Sequence, residues 1–292
     1  MILNILEIVI PIFAIVLAGW LYTHRHVPDM TAANNLTINV FLPALLFVVV
    51  ADDDFKPGEF GALAAAGAVV VLGSGLLALP VARFFGYRPL TFAPPMMFNN
   101  CGNLGLPLAL LAFGPDQIAP AIVLFLVSNT LHFSLGNWLL SGRSGWSGLV
   151  KNPILIATAA ALAINLSGLT VPTVLWTGVD MLGQIAIPLM LFSLGVRMRG
   201  VNLGDWNIGF TGGILRPAAG LLIAVPVAWL LDIQGNAWAQ LLIFSALPPA
   251  VLNFMFAEKY NQEPRRTAAI VLLGNLIGVL VIPAVLYIAL PA

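Results

Sequence analysis

"NNCGNLGLPL", residues 99–108, sets asparagines, glycines and a proline inside a stretch, 91–113, that otherwise reads as one membrane-spanning helix. A proline removes an N–H and clashes with the carbonyl four residues earlier, while asparagine and glycine favour non-helical backbone. In lipid, each N–H or C=O freed in this way costs several kcal/mol unless protein buries it or it lines a wet cavity. The stretch therefore predicts an interrupted helix whose loose backbone groups and amide side chains build a binding site.

The rest of the chain makes that setting a membrane. Of 292 residues, 60% are hydrophobic and 8% charged, with a mean hydropathy of +0.99. A helical span needs about 20 apolar residues to cross roughly 30 Å of hydrocarbon. Charged clusters cut the sequence into ten such lengths, near 3–22, 32–51, 61–84, 91–113, 118–140, 153–170, 175–196, 208–231, 237–258 and 267–290. These runs are too long for the alternating ten-residue strands of a barrel, so the expected fold is an all-α polytopic membrane protein with no soluble domain. Arg25 is the first basic residue, and a signal peptide carries its charge ahead of the apolar stretch; no cleavage is expected. Cys101 is the sole cysteine, which excludes an intrachain disulfide and marks a small-residue choice rather than redox chemistry.

Charge placement orients the chain. If ten spans alternate, Arg25, Arg83, Arg88, Arg143, Lys151, Arg197, Arg199, Lys259, Arg265 and Arg266 share one face, and Lys56 lies opposite. Arg216, some way into the eighth span, is expected to snorkel toward the basic face. The positive-inside rule then puts both termini outside the cytoplasm of a cell membrane. Basic residues spread over several loops are topology signals, so nucleic acid is excluded as a partner. Asp52, Asp53 and Asp54 read as a solvated outer loop, and no metal site is expected.

Two fives fit inside ten. "FLPALLFVVV" (41–50) matches "AIPLMLFSLG" (186–195), aligning Pro43 with Pro188, and "AIVLF" (121–125) matches "AIVLL" (269–273). Residues 1–142 and 143–292 thus read as two five-helix repeats, inverted because five is odd, the plan of secondary transporters. At an offset of 149, which agrees with the neighbouring matches, Asn99-Asn100 falls on Pro248-Pro249 within "SALPPAVLNFMFAEKY" (245–260); a competing match at 154 sets Pro94, Pro95 and Asn99 on Pro248, Pro249 and Asn253. Helices 4 and 9 are then both broken. Half-helices beginning near Pro107 and near Pro249 would aim N-terminal N–H groups at the midplane, where they favour an anion. The carbonyl ends would suit a cation. The expected substrate-binding set is Asn99, Asn100, Cys101, Gly102, Asn103, Pro248, Pro249 and Asn253, with Gly105, Pro107 and the two ninth-span prolines as helix breakers. A second tier comprises Asn39, Pro43, Gln184, Pro188 and Ser193 on the matched proline helices, and Asn129 with His132 on the fifth span. His132 reads as a neutral histidine bonded to a neighbouring helix, with proton relay as its alternative.

In "VIPIFAIVLAGWLY" (9–22), "FLPALLF" (41–47), "GNLGLPL" (102–108), "IPLMLFSLG" (187–195) and "ALPPAVLNFMFAEKY" (246–260) the chain resembles the auxin efflux carrier family, within the bile acid/arsenite/riboflavin transporter superfamily. The resemblance implies ten helices in two inverted repeats, with helices 4 and 9 broken and crossed. It implies a scaffold of spans 1, 2, 6 and 7 and a transport domain of spans 3–5 and 8–10, moving by an elevator mechanism, with a homodimer through the scaffold. Implied cargo is an organic carboxylate: indole acetic acid in plants, malonate or malate in bacteria. The carboxylate-binding asparagine of the fourth-span crossing carries over to Asn100 and the ninth-span crossing proline to Pro248, whereas Asn99 stands where plant members have proline. Only "SGRSGWSGLVKN" (141–152) replaces the long plant loop, which argues against auxin. The expected function is alternating-access transport of a small organic anion across the plasma membrane, without cofactor. A sodium- or proton-coupled symporter of the bile acid type is the nearest alternative, with Na+ as coupling ion; a non-transporting sensor is another. Three histidines, one cysteine and few buried acids make an embedded hydrolase hard to assemble.

Overall fold

The computed structural model describes residues 2–26, 28–142, 149–198 and 205–290. Of the residues used above to orient the chain, Arg143 and Arg199 lie outside that set, as do Met1, the far side of the 142/143 boundary and residues 291–292. Regular structure among the described residues is helical. Seven helices are long and apolar enough to cross a bilayer: α1 (Ile2–Tyr22), α2 (Thr31–Ala51), α3 (Pro57–Phe84), α6 (Ala119–Ser141), α8 (Thr173–Arg197), α9 (Trp206–Leu230) and α12 (Pro264–Ala289). Between them come two pairs of half-length helices, α4 (Pro89–Met97) with α5 (Cys101–Phe113), and α10 (Gly235–Ala246) with α11 (Val251–Lys259). The remaining helix, α7 (Pro153–Ser167), has 15 residues and so spans about 22 Å.

Helix packing sorts the bundle into two groups. In one, α1 packs along α8, and α2 sits against α7 and α8. In the other, α9 is the hub: it packs on α12, α3 and α10, while α4 and α6 lie against α3. Large apolar side chains such as Leu76, Trp229 and Leu280 point outward and are exposed, as a hydrocarbon-facing surface requires. Lipid tails supply no hydrophobic drive between helices, so close approach depends on small residues. At the α1–α8 contact a Cβ added to Gly195 would stand 1.9 Å from the Val16 carbonyl oxygen, and one on Gly19 would stand 2.2 Å from that of Phe192. Loops are tied by side chains: Asn165 Nδ2, at the end of α7, donates to the carbonyls of Asp52 and Phe55 at 2.6 and 3.0 Å.

Gly195→Val must push α1 from α8. We expect it to destabilise the detergent-purified protein by about 1–3 kcal/mol, read as a fall in the thermal unfolding midpoint. Gly178→Ala, on the same helix with open space around its Cβ position, should leave the midpoint unchanged or raise it. Equal behaviour of the two variants would contradict the packing described for α1 and α8.

Candidate functional site

The two helix breaks meet. Residues 98–100 and 248–250 run antiparallel with Asn99 opposite Pro249. The Asn100 N–H donates to the Pro248 carbonyl at 2.7 Å, and the Ala250 N–H donates to that of Phe98 at 2.9 Å. Proline chemistry suits both ninth-span positions. Pro249 occupies a pair that exchanges no hydrogen bonds, so its missing N–H costs nothing. Pro248 occupies a bonded pair and cannot return a bond to Asn100. The Asn100 carbonyl is thereby free to accept the N–H groups of Leu104 and Gly105 at 3.1 and 3.0 Å, which opens the first turn of α5. The half-helix expected to begin near Pro107 therefore begins at Cys101 instead.

The other carbonyls at the breaks are answered by side chains. Asn253 Nδ2 donates to the Phe98 carbonyl at 2.9 Å and to that of Ala250 at 3.0 Å. Asn99 Nδ2 donates to Phe244 at 2.5 Å, and Asn275 Nδ2 to Pro249 at 3.1 Å. Arg216 Nη1 donates to the Ser245 carbonyl at 3.1 Å. The snorkelling expected of Arg216 is thus overturned: its exposure is 0%, because α9 buries it against the carbonyl end of α10, where a helix dipole favours a cation. Its Nε and Nη2 have no partner among the described residues.

Beside the crossing is a cavity of about 130 Å³. The opening residues of both downstream half-helices line it: Cys101, Gly102 and Asn103 from α5, Val251 and Leu252 from α11. N–H groups in a first helical turn have no intrahelical acceptor, and two such turns at one cavity make an anion-favouring wall. Asn34, Asn99, Asn100 and Asn129 add amides, Thr37 and Ser128 hydroxyls, and Arg197 a guanidinium; among the described residues no aspartate or glutamate lines it. Three π-helical turns border the cavity: Thr37–Phe41 in α2, Cys101–Gly105 in α5 and His132–Gly136 in α6. Two have the same cause. Leu42 and Leu106 reach back five residues, to the carbonyls of Thr37 and Cys101, and each precedes a proline, Pro43 or Pro107, that has no N–H to continue the α-helical ladder. Such turns are frequent at functional sites.

The expected residues divide by position. Asn99, Asn100, Cys101, Gly102, Asn103, Asn129 and His132 share the cavity wall. Pro248, Pro249 and Asn253 are buried behind it and hold the crossing together. Gly105 lies in the π turn of α5, where a Cβ would come within 2.8 Å of a Leu247 methyl. The bond expected from His132 to a neighbouring helix is not formed: its Nε2 has no partner among the described residues, and its ring instead stacks on Phe98 at 4.0 Å. Asn39 and Gln184 are exposed and bond within their own helices, to the Asn35 carbonyl and Asp180. Pro188 is exposed, and Ser193 is buried on α8 outside the cavity wall. Sequence reasoning missed Asn275, which also accepts from Asn100 Nδ2 at 3.1 Å. Its signal was legible: a lone amide in the apolar run "IVLLGNLIGVLVI" (270–282). Arg197, assigned only a topological role, went unread as a cavity residue.

This fold and site belong to a class of membrane transporters. The model of the family described as "Membrane transport protein" matches residues 137–287. The chain belongs to that family, the auxin efflux carrier family. A protein of Rhizobium meliloti (strain 1021) named "Putative malonate transporter" is 26% identical over 99% of this chain and 98% of its own length. Auxin efflux carrier component 2 of Arabidopsis thaliana is 26% identical over 46% of this chain and 22% of its own. An uncharacterised transporter of Methanocaldococcus jannaschii is 24% identical over 64% of each.

Asn275→Leu strands the Pro249 carbonyl and the Asn100 amide at once. Leaving such groups unpaired should cost about 1–3 kcal/mol, measured as a lower unfolding midpoint in detergent. An unchanged midpoint would mean that Asn275 does not hold the crossing.

Proposed function

We propose that this protein is a secondary transporter of a small organic carboxylate, bound against the crossing of α4–α5 with α10–α11 and moved by alternating access. The observation that carries the reading is one cavity receiving two helix N-termini, five asparagines and a guanidinium, with no carboxylate among its described lining residues. Ten membrane crossings in two inverted repeats account for the meeting of the breaks. An antiparallel pair centred on Asn99 and Pro249 is what a pseudo-two-fold axis in the membrane plane would produce, at an offset of 150 beside the 149 read from sequence. In this plan the group α1, α2, α7 and α8 is the scaffold, and the other helices carry the substrate past it. Because Arg197 closes the end of α8 that the charge rule assigns to the cytoplasm, the cavity fits an inward-facing state in the plasma membrane.

Volume bears on the cargo. A cavity near 150 Å³ holds a benzene molecule, so about 130 Å³ suits a small acid of about benzene's size. That size agrees with the name of the Rhizobium relative and disfavours an indole acid. The carbonyls released at the crossing already accept bonds from Asn99, Asn253, Asn275 and Arg216, which supports anion transport driven by its own gradient and the membrane potential over sodium symport. One charge crossing the field is worth about 2.3 kcal/mol per 100 mV.

Proteoliposomes given labelled three- and four-carbon acids test the reading. We expect saturable flux that follows an imposed potential without sodium and is not competed by indole acetic acid. Asn100→Ala should lower it about tenfold or more, through lost amide contacts. Pro248→Ala should do likewise, because the restored N–H competes for the Asn100 carbonyl that starts α5. Undiminished flux in both variants would defeat the site assignment.

A further inference from the structure

We propose that Arg197 is a second anion-binding pole of the cavity, which makes the site selective for a short dianion, a dicarboxylate, over a monocarboxylate of the same length. This rests on the carboxylate-transport reading above and names the residue that would read the far end of the substrate.

Arg197 is the last residue of α8 and lines the same cavity as Cys101, Gly102 and Asn103. Among the described residues of that wall it alone is formally charged. Among the described residues its side-chain partner is the Met255 Sδ, to which Nη1 donates at 3.3 Å. A thioether is a weak acceptor, and a guanidinium has five donors in a fork matched to a carboxylate. Both ion pairs found among the described residues belong to Arg266, so no carboxylate of the described chain neutralises Arg197. Arg197 faces a cavity in which the Nδ2 of buried Asn129 lacks a partner among the described residues. That buried amide needs an acceptor from outside the described chain, and the half-exposed Arg197 guanidinium, held by a thioether, is open to one at the same cavity.

The two poles sit on different helices. The crossing pole lies on α5, which packs on α6 and α8, and on α11, which packs on α12, whereas Arg197 ends α8, which also packs on α1 and α2. A substrate with one carboxylate would be held at the crossing pole and leave Arg197 on the Met255 sulfur. A substrate with two would exchange that weak contact for a charge-assisted fork. The volume of about 130 Å³ keeps the link between the carboxylates short, because a molecule of about benzene's size fills it.

The test compares labelled malonate with labelled propanoate, both of three carbons, in proteoliposomes of the unaltered protein, Arg197→Gln and Arg197→Lys. The ratio of kcat/KM for the two acids is read within each preparation, which removes differences in the amount of active protein. The unaltered protein should prefer malonate by about tenfold or more, the order of a charge-assisted hydrogen bond. Arg197→Gln should abolish that preference. Arg197→Lys should retain part of it, since an ammonium keeps the charge and loses the fork. A ratio equal in all three proteins, or a preference for propanoate in the unaltered one, would overturn the proposal while leaving carboxylate transport standing. Absence of flux for both acids in the unaltered protein would overturn both readings. Should Arg197→Gln carry neither acid, Arg197→Lys decides: malonate preference above that for propanoate supports the proposal, and its loss ends it.

Discussion

Two backbone hydrogen bonds, Asn100 N–H to the Pro248 carbonyl and Ala250 N–H to the Phe98 carbonyl, are the constraint on which this molecule depends. In water, a broken helix is a modest local defect, since solvent answers the freed groups. In hydrocarbon nothing does, and one break alone would leave several unpaired groups at high cost. Two breaks that bond each other solve the problem in one place. The solution forces α4–α5 and α10–α11 to meet at the breaks, and it points the starts of α5 and α11 at a common cavity. The anion-favouring wall is therefore a consequence of how backbone polarity is satisfied, before any side chain is considered.

Side chains then complete the arrangement in two distinct ways. Asn99, Asn253, Asn275 and Arg216 donate to carbonyls at the breaks and are spent on structure. Asn103, Asn129 and Arg197 sit on the cavity wall, and Asn129 Nδ2 has no partner among the described residues. The same residue type thus serves opposite ends on either side of the crossing. Arg216 shows why burial matters for this division. Held at the carbonyl end of α10, its charge offsets the negative end of a helix dipole.

The π turns place the cavity in relation to the matched prolines. Pro43 and Pro107 each follow a turn that reaches back five residues, and each turn puts residues on the cavity wall. Pro188, which pairs with Pro43 in the sequence match, lies instead within an unbroken stretch of α8 and faces outward. The likeness between those two segments is therefore one of residues more than of local geometry. Proline limits what a backbone can do; neighbours decide whether the limit becomes a π turn or a tolerated gap.

Much of this was legible along the chain. Apolar runs of span length, with charges between them, determined a helical membrane protein, since hydrocarbon thickness and backbone polarity leave few other choices. Helix breakers at 99–107 and 248–249 determined where two spans could not continue, because proline lacks a donor wherever it falls. What sequence could not supply was partnership. Asn275 and Asn100 are 175 residues apart, Arg216 lacks any local mark of its burial, and Arg197 looks like any loop-flanking cation. Only tertiary packing decided which amides were consumed at the crossing and which remained for the cavity, because hydrogen-bond satisfaction is settled by neighbours in space.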